Sequence, residues 1–151
     1  MGAGKSTVGP LVAVRLGIPF LDLDRCVEDR LGMSIATCFQ RHGEGAFRRA
    51  EHEALLRCVA AGPMVLALGG GTLHAPGNRG LLRQGFALVT LAVPWETARL
   101  RLGDRPLAAG AEQLYASRAA GYQDVDAVVD CAGLTPEQVA VAVCRAVEGS
   151  Q

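Results

Sequence analysis

Short apolar runs alternate with longer segments of helical spacing along the whole chain, and that alternation limits the fold more than any other feature. "MVLAL" and "FALVTLAV" are continuous apolar runs bounded by Gly and Pro, the pattern of parallel strands covered on both faces. "IPFLDLD" and "AVVD" read as two further short strands. "TVGPLVAVRLG" sets Val8, Leu11, Val12 and Leu16 on one helical face and stops at Gly17, a C-cap, with Pro10 expected in the first turn. "EGAFRRAEHEALLRCVA" brings Phe47, Leu55, Cys58 and Val59 near helical spacing, with charges on the other side. "TARLRL" is expected to be helical, and "TPEQVAVAVCRAVE" gives a final helix with Thr135 as N-cap and Pro136 at its first position. The order α-β-α-β-α-β-α-β-α predicts an α/β fold, a parallel sheet with helices on both sides. Residues 103–117, rich in Ala and Gly and poor in strand signal, are expected to form a flap.

Composition narrows the function classes. A chain of 151 residues is the size of one domain, taken as residues 1–151. Lys plus Arg and Asp plus Glu each number 15 and half the residues are hydrophobic, which argues against a polyanion-binding surface and against disorder. Nucleic acid is therefore not an expected partner. The five cysteines, Cys26, Cys38, Cys58, Cys131 and Cys144, include no C-x-x-C pair and read as small buried residues of a reducing cytosol. No apolar run is long enough to span a membrane and the first residues lack a signal-peptide pattern, so a soluble cytoplasmic protein is expected. His42, His52 and His74 have no metal spacing, and Trp95 reads as a packing residue.

The chemistry concentrates in four stretches. In "GAGKST" the small residues Gly2, Ala3 and Gly4 let backbone N–H groups close on phosphate oxygens. Lys5 offers a positive charge to the outer phosphates, and Ser6 a hydroxyl to magnesium. The alternative is a Gly-rich turn that only starts a helix. Asp22 and Asp24 of "FLDLD" lie two apart near a strand's end, which puts both carboxylates on one face; one can serve a metal's water shell and the other a substrate hydroxyl. A solvated turn with Asp24 as N-cap is the competing reading. Arg48 and Glu51 stand at i and i+3 on a helix, where a surface ion pair would contribute about 0–1 kcal/mol. Finally "LALGGGT" ends a buried strand in Gly69, Gly70 and Gly71, bare amides at a place where α/β sheets bind ligands.

Together "MGAGKST", "LGIPFLDLD", "GEGAFRRAE", "ALGGGT", "NRGLL", "DRPL", "SRAAGY" and "GLTPEQVA" resemble shikimate kinase, a P-loop kinase of the nucleoside-monophosphate-kinase type, in order and across nearly the whole chain. The resemblance implies a three-layer fold with a central parallel sheet, and an ATP- and magnesium-dependent transfer of the γ-phosphoryl group to the 3-hydroxyl of shikimate. It implies that Gly2, Ala3, Gly4, Lys5, Ser6 and Thr7 hold the ATP phosphates, and that Ser6 and, through water, Asp22 hold magnesium. Asp24 would bind shikimate hydroxyls and orient or deprotonate the attacking one. Arg48 and Arg118 would clamp the substrate carboxylate, with the backbone of Gly69, Gly70 and Gly71 completing the pocket. Arg105 would be the lid arginine over the phosphates, catalytic together with Lys5 and Asp24, and Arg101 would lie against the adenine. A monomer is expected. A kinase for another hydroxy acid such as gluconate, or a non-catalytic ligand-binding module, are the alternatives.

The chain departs from the family's pattern at four places. Ala120 and Gly121 replace a proline and a leucine, which loosens the turn holding Arg118. The stretch between Arg105 and Arg118 is short and "DRPLAAG" lacks a second leucine. No arginine stands near Leu134 to stack on the base. Lastly, the numbering starts inside the phosphate loop, so a first, central strand and the loop's first glycine are expected in about a dozen further residues upstream of Met1.

Overall fold

The computed structural model describes residues 2–102, 112, 113, 116 and 124–149. The expected flap at 103–117 falls outside them except for three positions, as do Arg105, Arg118, Ala120 and Gly121. The chain divides into two compact units: residues up to Gly17 with those from Ala87 onward, and Ile18–Phe86.

The first unit alternates α1 (Lys5–Leu16), β3 (Val89–Ala92), α5 (Trp95–Leu102), β4 (Ala127–Asp130) and α6 (Pro136–Glu148). α1 runs along α6, and the buried faces are Val8, Val12 and Ala13 on one helix and Val139, Ala140 and Val143 on the other. α1 ends where the sequence places its stop, at a left-handed Gly17 whose N–H reaches back to the Ala13 and Val14 carbonyls. Its start differs. The helix begins at Lys5, so Pro10 lies inside it and not in its first turn, and one rung of the helical ladder is missing there. At α6 the Thr135 hydroxyl accepts from Gln138 N–H at 3.3 Å while the Gln138 side chain accepts from Thr135 N–H at 2.9 Å, a capping box completed by Pro136. β3 and β4 run parallel in the register Val89↔Ala127 to Ala92↔Asp130.

The second unit holds β1 (Phe20–Asp22), α2 (Leu23–Leu31), α3 (Ile35–Ala61), β2 (Val65–Ala67), a 3₁₀ turn (Thr72–His74) and α4 (Asn78–Leu82). α3 is two helices joined at Gly43, the first capped by Ser34, whose hydroxyl accepts from Thr37 N–H at 3.1 Å. Leu23, Val27, Leu55 and Leu82 are fully enclosed. Phe39 lies against Phe47 with ring centroids 5.1 Å apart. β1 pairs with β2 in parallel, Phe20↔Val65 to Asp22↔Ala67.

Two expectations need correction. The strands are parallel as expected but form two separate pairs, β1–β2 and β3–β4, and of the two runs expected to be covered on both faces β2 is enclosed only at Ala67 while β3 is half-buried throughout. A continuous apolar run reports a strand's composition, but burial of both faces requires neighbours the run does not specify. Two helices, α2 and the first half of α3, also lie between β1 and the segment read as the next helix. α2 follows β1 with no loop residue between them, and only Gly32, Met33 and Ser34 separate it from α3.

Four of the five cysteines match the reading as small buried residues, and Cys26 departs from it, being only part-buried. Cys38, Cys58, Cys131 and Cys144 are buried and all five are unbridged. Burial pushes the thiols of Cys26, Cys58 and Cys144 above their ordinary value, which keeps them protonated.

Candidate active site

In the first unit the loop expected to bind phosphate is set by two glycines with left-handed backbone, Gly2 (φ 69°) and Gly4 (φ 84°). A Cβ on Gly2 would stand 2.5 Å from the Ala98 carbonyl oxygen, so backbone lies where any side chain would go. The Gly4 carbonyl accepts from Thr7 N–H at 3.0 Å and Val8 N–H at 2.8 Å, closing the first turn of α1. That turn has no capping side chain and no acidic residue, and Ser6 and Thr7 are exposed on it. A helix start of this kind presents backbone donors and the positive end of the helix dipole to an anion.

Beside the loop is a cleft of about 180 Å³ lined by Ala3, Gly4, Thr7, Val8, Cys131, Leu134, Pro136 and Val139. Its wall is mostly apolar, suited to a flat ring next to a phosphate site. Leu134 forms part of that wall, at the place where the sequence has no stacking arginine. Arg101 falls in the last turn of α5.

The second unit assembles the acidic and basic residues around the glycine turn. Asp22 ends β1 and caps α2, its Oδ1 accepting from Asp24 N–H at 3.1 Å. The cap is thus Asp22 and not Asp24, and the two carboxylates do not share a strand face, because the helix begins between them at Leu23. Asp24 sits in the first turn of α2 with its carboxylate against Gly69, where a Cβ would meet Oδ1 at 2.7 Å. Arg48 lies against Gly71 in the same way, with Nη2 2.7 Å from the Cβ position. The glycines are needed for this close approach. One turn is thereby flanked by a carboxylate at its first glycine and a guanidinium at its third.

Arg48 is held on both sides. Its Nη1 donates to Glu51 Oε2 at 2.8 Å, while Nε and Nη2 both donate to Glu44 Oε1 at 3.1 Å. The guanidinium carbon stands 5.0 Å from the centre of the Phe47 ring. Burial alone would pull the Arg48 pKa down, but the bonds and charges of Glu51 and Glu44 outweigh it and hold it above the ordinary value. Arg48 stays a cation.

The sequence reading treats Arg48 and Glu51 as a possible surface pair, yet Glu51 is only 1% exposed. It falls four residues from both Phe47 and Leu55 on α3, so the apolar stripe itself signals its burial. Its second oxygen, Oε1, accepts from the Thr72 hydroxyl at 2.7 Å. Thr72, Asn78, His52 and Glu44 are the members of the cluster that motif reading misses. Asn78 Nδ2 donates to the Thr72 carbonyl at 3.1 Å, and His52 Nδ1 lies 2.7 Å from Asn78 Oδ1.

No group of three His, Cys, Asp or Glu side chains among the described residues forms a metal cage. Magnesium does not need one, since it keeps several waters and takes one or two protein oxygens plus phosphate oxygens. The Ser6 hydroxyl in the first unit and the Asp22 carboxylate in the second are each hard oxygen donors of that kind. No described helix is long and apolar enough to cross a membrane.

The shikimate kinase family model matches residues 1–148. A shikimate kinase of Geobacter sulfurreducens is 40% identical, with 100% of this chain and 88% of that protein covered. One from Caldanaerobacter subterraneus is 36% identical over 97% of this chain and 91% of its own. The shikimate kinase from Acinetobacter baumannii in complex with shikimate superposes with a TM-score of 0.88 at 29% identity, covering 100% of this chain and 90% of that one. The likeness thus extends through both units and every motif stretch, and on that ground the chain belongs to the shikimate kinase family.

Proposed function

We propose that this protein transfers the γ-phosphoryl group of ATP to the 3-hydroxyl of shikimate, giving shikimate 3-phosphate and ADP. The observation that carries the reading is the pair of contacts at the glycine turn, Asp24 on Gly69 and Arg48 on Gly71. A carboxylate that accepts from hydroxyls and a guanidinium fork that grips a carboxylate, held across one short turn, suit a small hydroxy acid. The shikimate bound by the Acinetobacter relative is such a molecule.

In this reading the loop from Gly2 to Thr7 and Lys5 hold the triphosphate, and the apolar cleft beside Leu134 takes the base, with Arg101 near it. Arg48 and Arg118 hold the substrate carboxylate, and Gly69, Gly70 and Gly71 close around the ring. Asp24 orients the 3-hydroxyl and takes its proton as the new O–P bond forms and the bond from the γ-phosphorus to the bridging oxygen breaks, with ADP leaving. Lys5 and Arg105 offset negative charge spreading over the transferred group. Ser6 and, through water, Asp22 would hold magnesium, which when bound neutralises charge on the phosphate oxygens. The protein would work as a monomer in the cytoplasm.

ADP release with and without shikimate tests this. Release should depend on shikimate and not on gluconate. Equal release with gluconate would move the activity to another hydroxy acid, and release that no acceptor raises would make the chain a binding module.

A further inference from the structure

We propose that Thr72 is a positioning residue for Arg48, acting by limiting how much of the arginine Glu51 takes. The inference rests on the reading of Arg48 as a substrate clamp. Every polar atom of Thr72 is committed: its N–H donates to the Gly69 carbonyl at 3.2 Å, closing the glycine turn, and its carbonyl accepts from Asn78 Nδ2 at 3.1 Å and from Ala75 N–H at 3.4 Å. The hydroxyl donates to Glu51 Oε1 at 2.7 Å. The residue is fully enclosed, and as a β-branched side chain it has few rotamers to choose from.

Glu51 therefore divides its two oxygens, one for Thr72 and one for Arg48. A buried carboxylate oxygen seeks a donor. Without the hydroxyl, Glu51 Oε1 turns to the remaining strong donor within reach, the guanidinium already bonded to its other oxygen, and the pair becomes bidentate. Nη2, which now lies over Gly71 and donates to the exposed Glu44, would be drawn toward the protein interior. The fork then no longer faces a carboxylate arriving from solvent. Thr72 thus uses one glutamate oxygen so that the arginine keeps its outer donors.

The test is the steady-state kinetics of Thr72→Val, Thr72→Ser, Arg48→Ala and the Thr72→Val/Arg48→Ala double variant, with thermal unfolding as a control. Thr72→Val should raise the KM for shikimate about tenfold at unchanged KM for ATP, the loss of one hydrogen bond to a charged group. Thr72→Ser, which keeps the hydroxyl, should stay near the parent value. In the Arg48→Ala background Thr72→Val should have no further effect on that KM, because a residue acting through Arg48 has nothing left to position. Should Thr72→Val fail to fold, Thr72→Ala serves with the same expectation. Parent-like KM in the variants lacking the hydroxyl, or an effect that survives in the Arg48→Ala background, overturns the proposal. Arg48→Ala without a shikimate-specific rise would instead overturn the clamp on which it rests.

Discussion

Gly71→Ala isolates the geometry of the glycine turn from its stability. Gly71 has φ −105° and ψ −9°, a conformation open to alanine, so the backbone does not oppose the change. The obstacle is Arg48. The new Cβ would lie 2.7 Å from Nη2, 3.2 Å from Nη1 and 3.3 Å from Cζ. The nearest of these is about 0.7 Å inside ordinary contact, so the whole guanidinium must move by a comparable amount. As the end of a flexible side chain it can move without disturbing the core, and the melting temperature should change little. It cannot move and keep its aim. A bidentate grip on a carboxylate tolerates little displacement, and losing one charge-assisted bond, about 1.5–3 kcal/mol, corresponds to a factor of roughly 10–150 in affinity. The KM for shikimate should rise by that order while the KM for ATP stays near the parent value. The assay is initial-rate ADP release with each substrate varied, alongside thermal unfolding. A folded Gly71→Ala protein with unchanged KM for shikimate would show that Arg48 does not contact the substrate from this position.

Further outcomes follow from other contacts. Asp24→Asn should lower turnover by about 10²–10⁴-fold with nucleotide binding retained, and near-parent turnover would remove Asp24 from the proton transfer. Gly2→Ala places a methyl against the Ala98 carbonyl in a left-handed backbone, so nucleotide affinity, read by titration, should fall while the KM for shikimate does not; intact affinity would contradict the loop's assigned role. The Glu137 carboxyl is held below its ordinary value by its own backbone N–H and then by the Thr135 hydroxyl at the start of α6. Because the folded pKa is the lower one, its contribution is complete above the ordinary carboxylate pKa and fades as the pH falls through the lowered value. Glu137→Gln should therefore destabilise at neutral pH and converge on the parent in strong acid, and a constant difference across acid unfolding curves would refute this.

Local chemistry was the legible part of the molecule. Thr135 and Pro136 fix the start of α6, Gly17 fixes the end of α1, and "AVVD" is β4 residue for residue. In each case the signal and the structure involve the same few neighbouring atoms. Pro10 shows the limit of such rules. Its first-turn preference gives way because the glycine loop starts the helix at Lys5, five residues earlier. Asp22 and Asp24 show another, since two-residue spacing means one face only while the chain remains a strand, and here the helix starts between them.

What motif reading could not supply is the set of partners that turns an exposed-looking pair into a built site. Arg48 and Glu51 are three apart on a helix, and from sequence alone an ion pair at that spacing contributes little. Burial changes its meaning. An enclosed carboxylate must have both oxygens satisfied, and the second donor comes from Thr72, twenty-one positions downstream, behind a glycine turn. Thr72 is in turn held by Asn78, and Asn78 by His52 back on α3, one residue past Glu51. The path leaves the helix and returns to it. No periodicity encodes such a loop, because its members belong to a helix, a 3₁₀ turn and the first residue of α4. It could be recognised only through its one local trace, a glutamate set on the apolar stripe of α3 between Phe47 and Leu55. A charge at such a position demands partners, and the nearest flexible turn able to bring them is the one with three glycines.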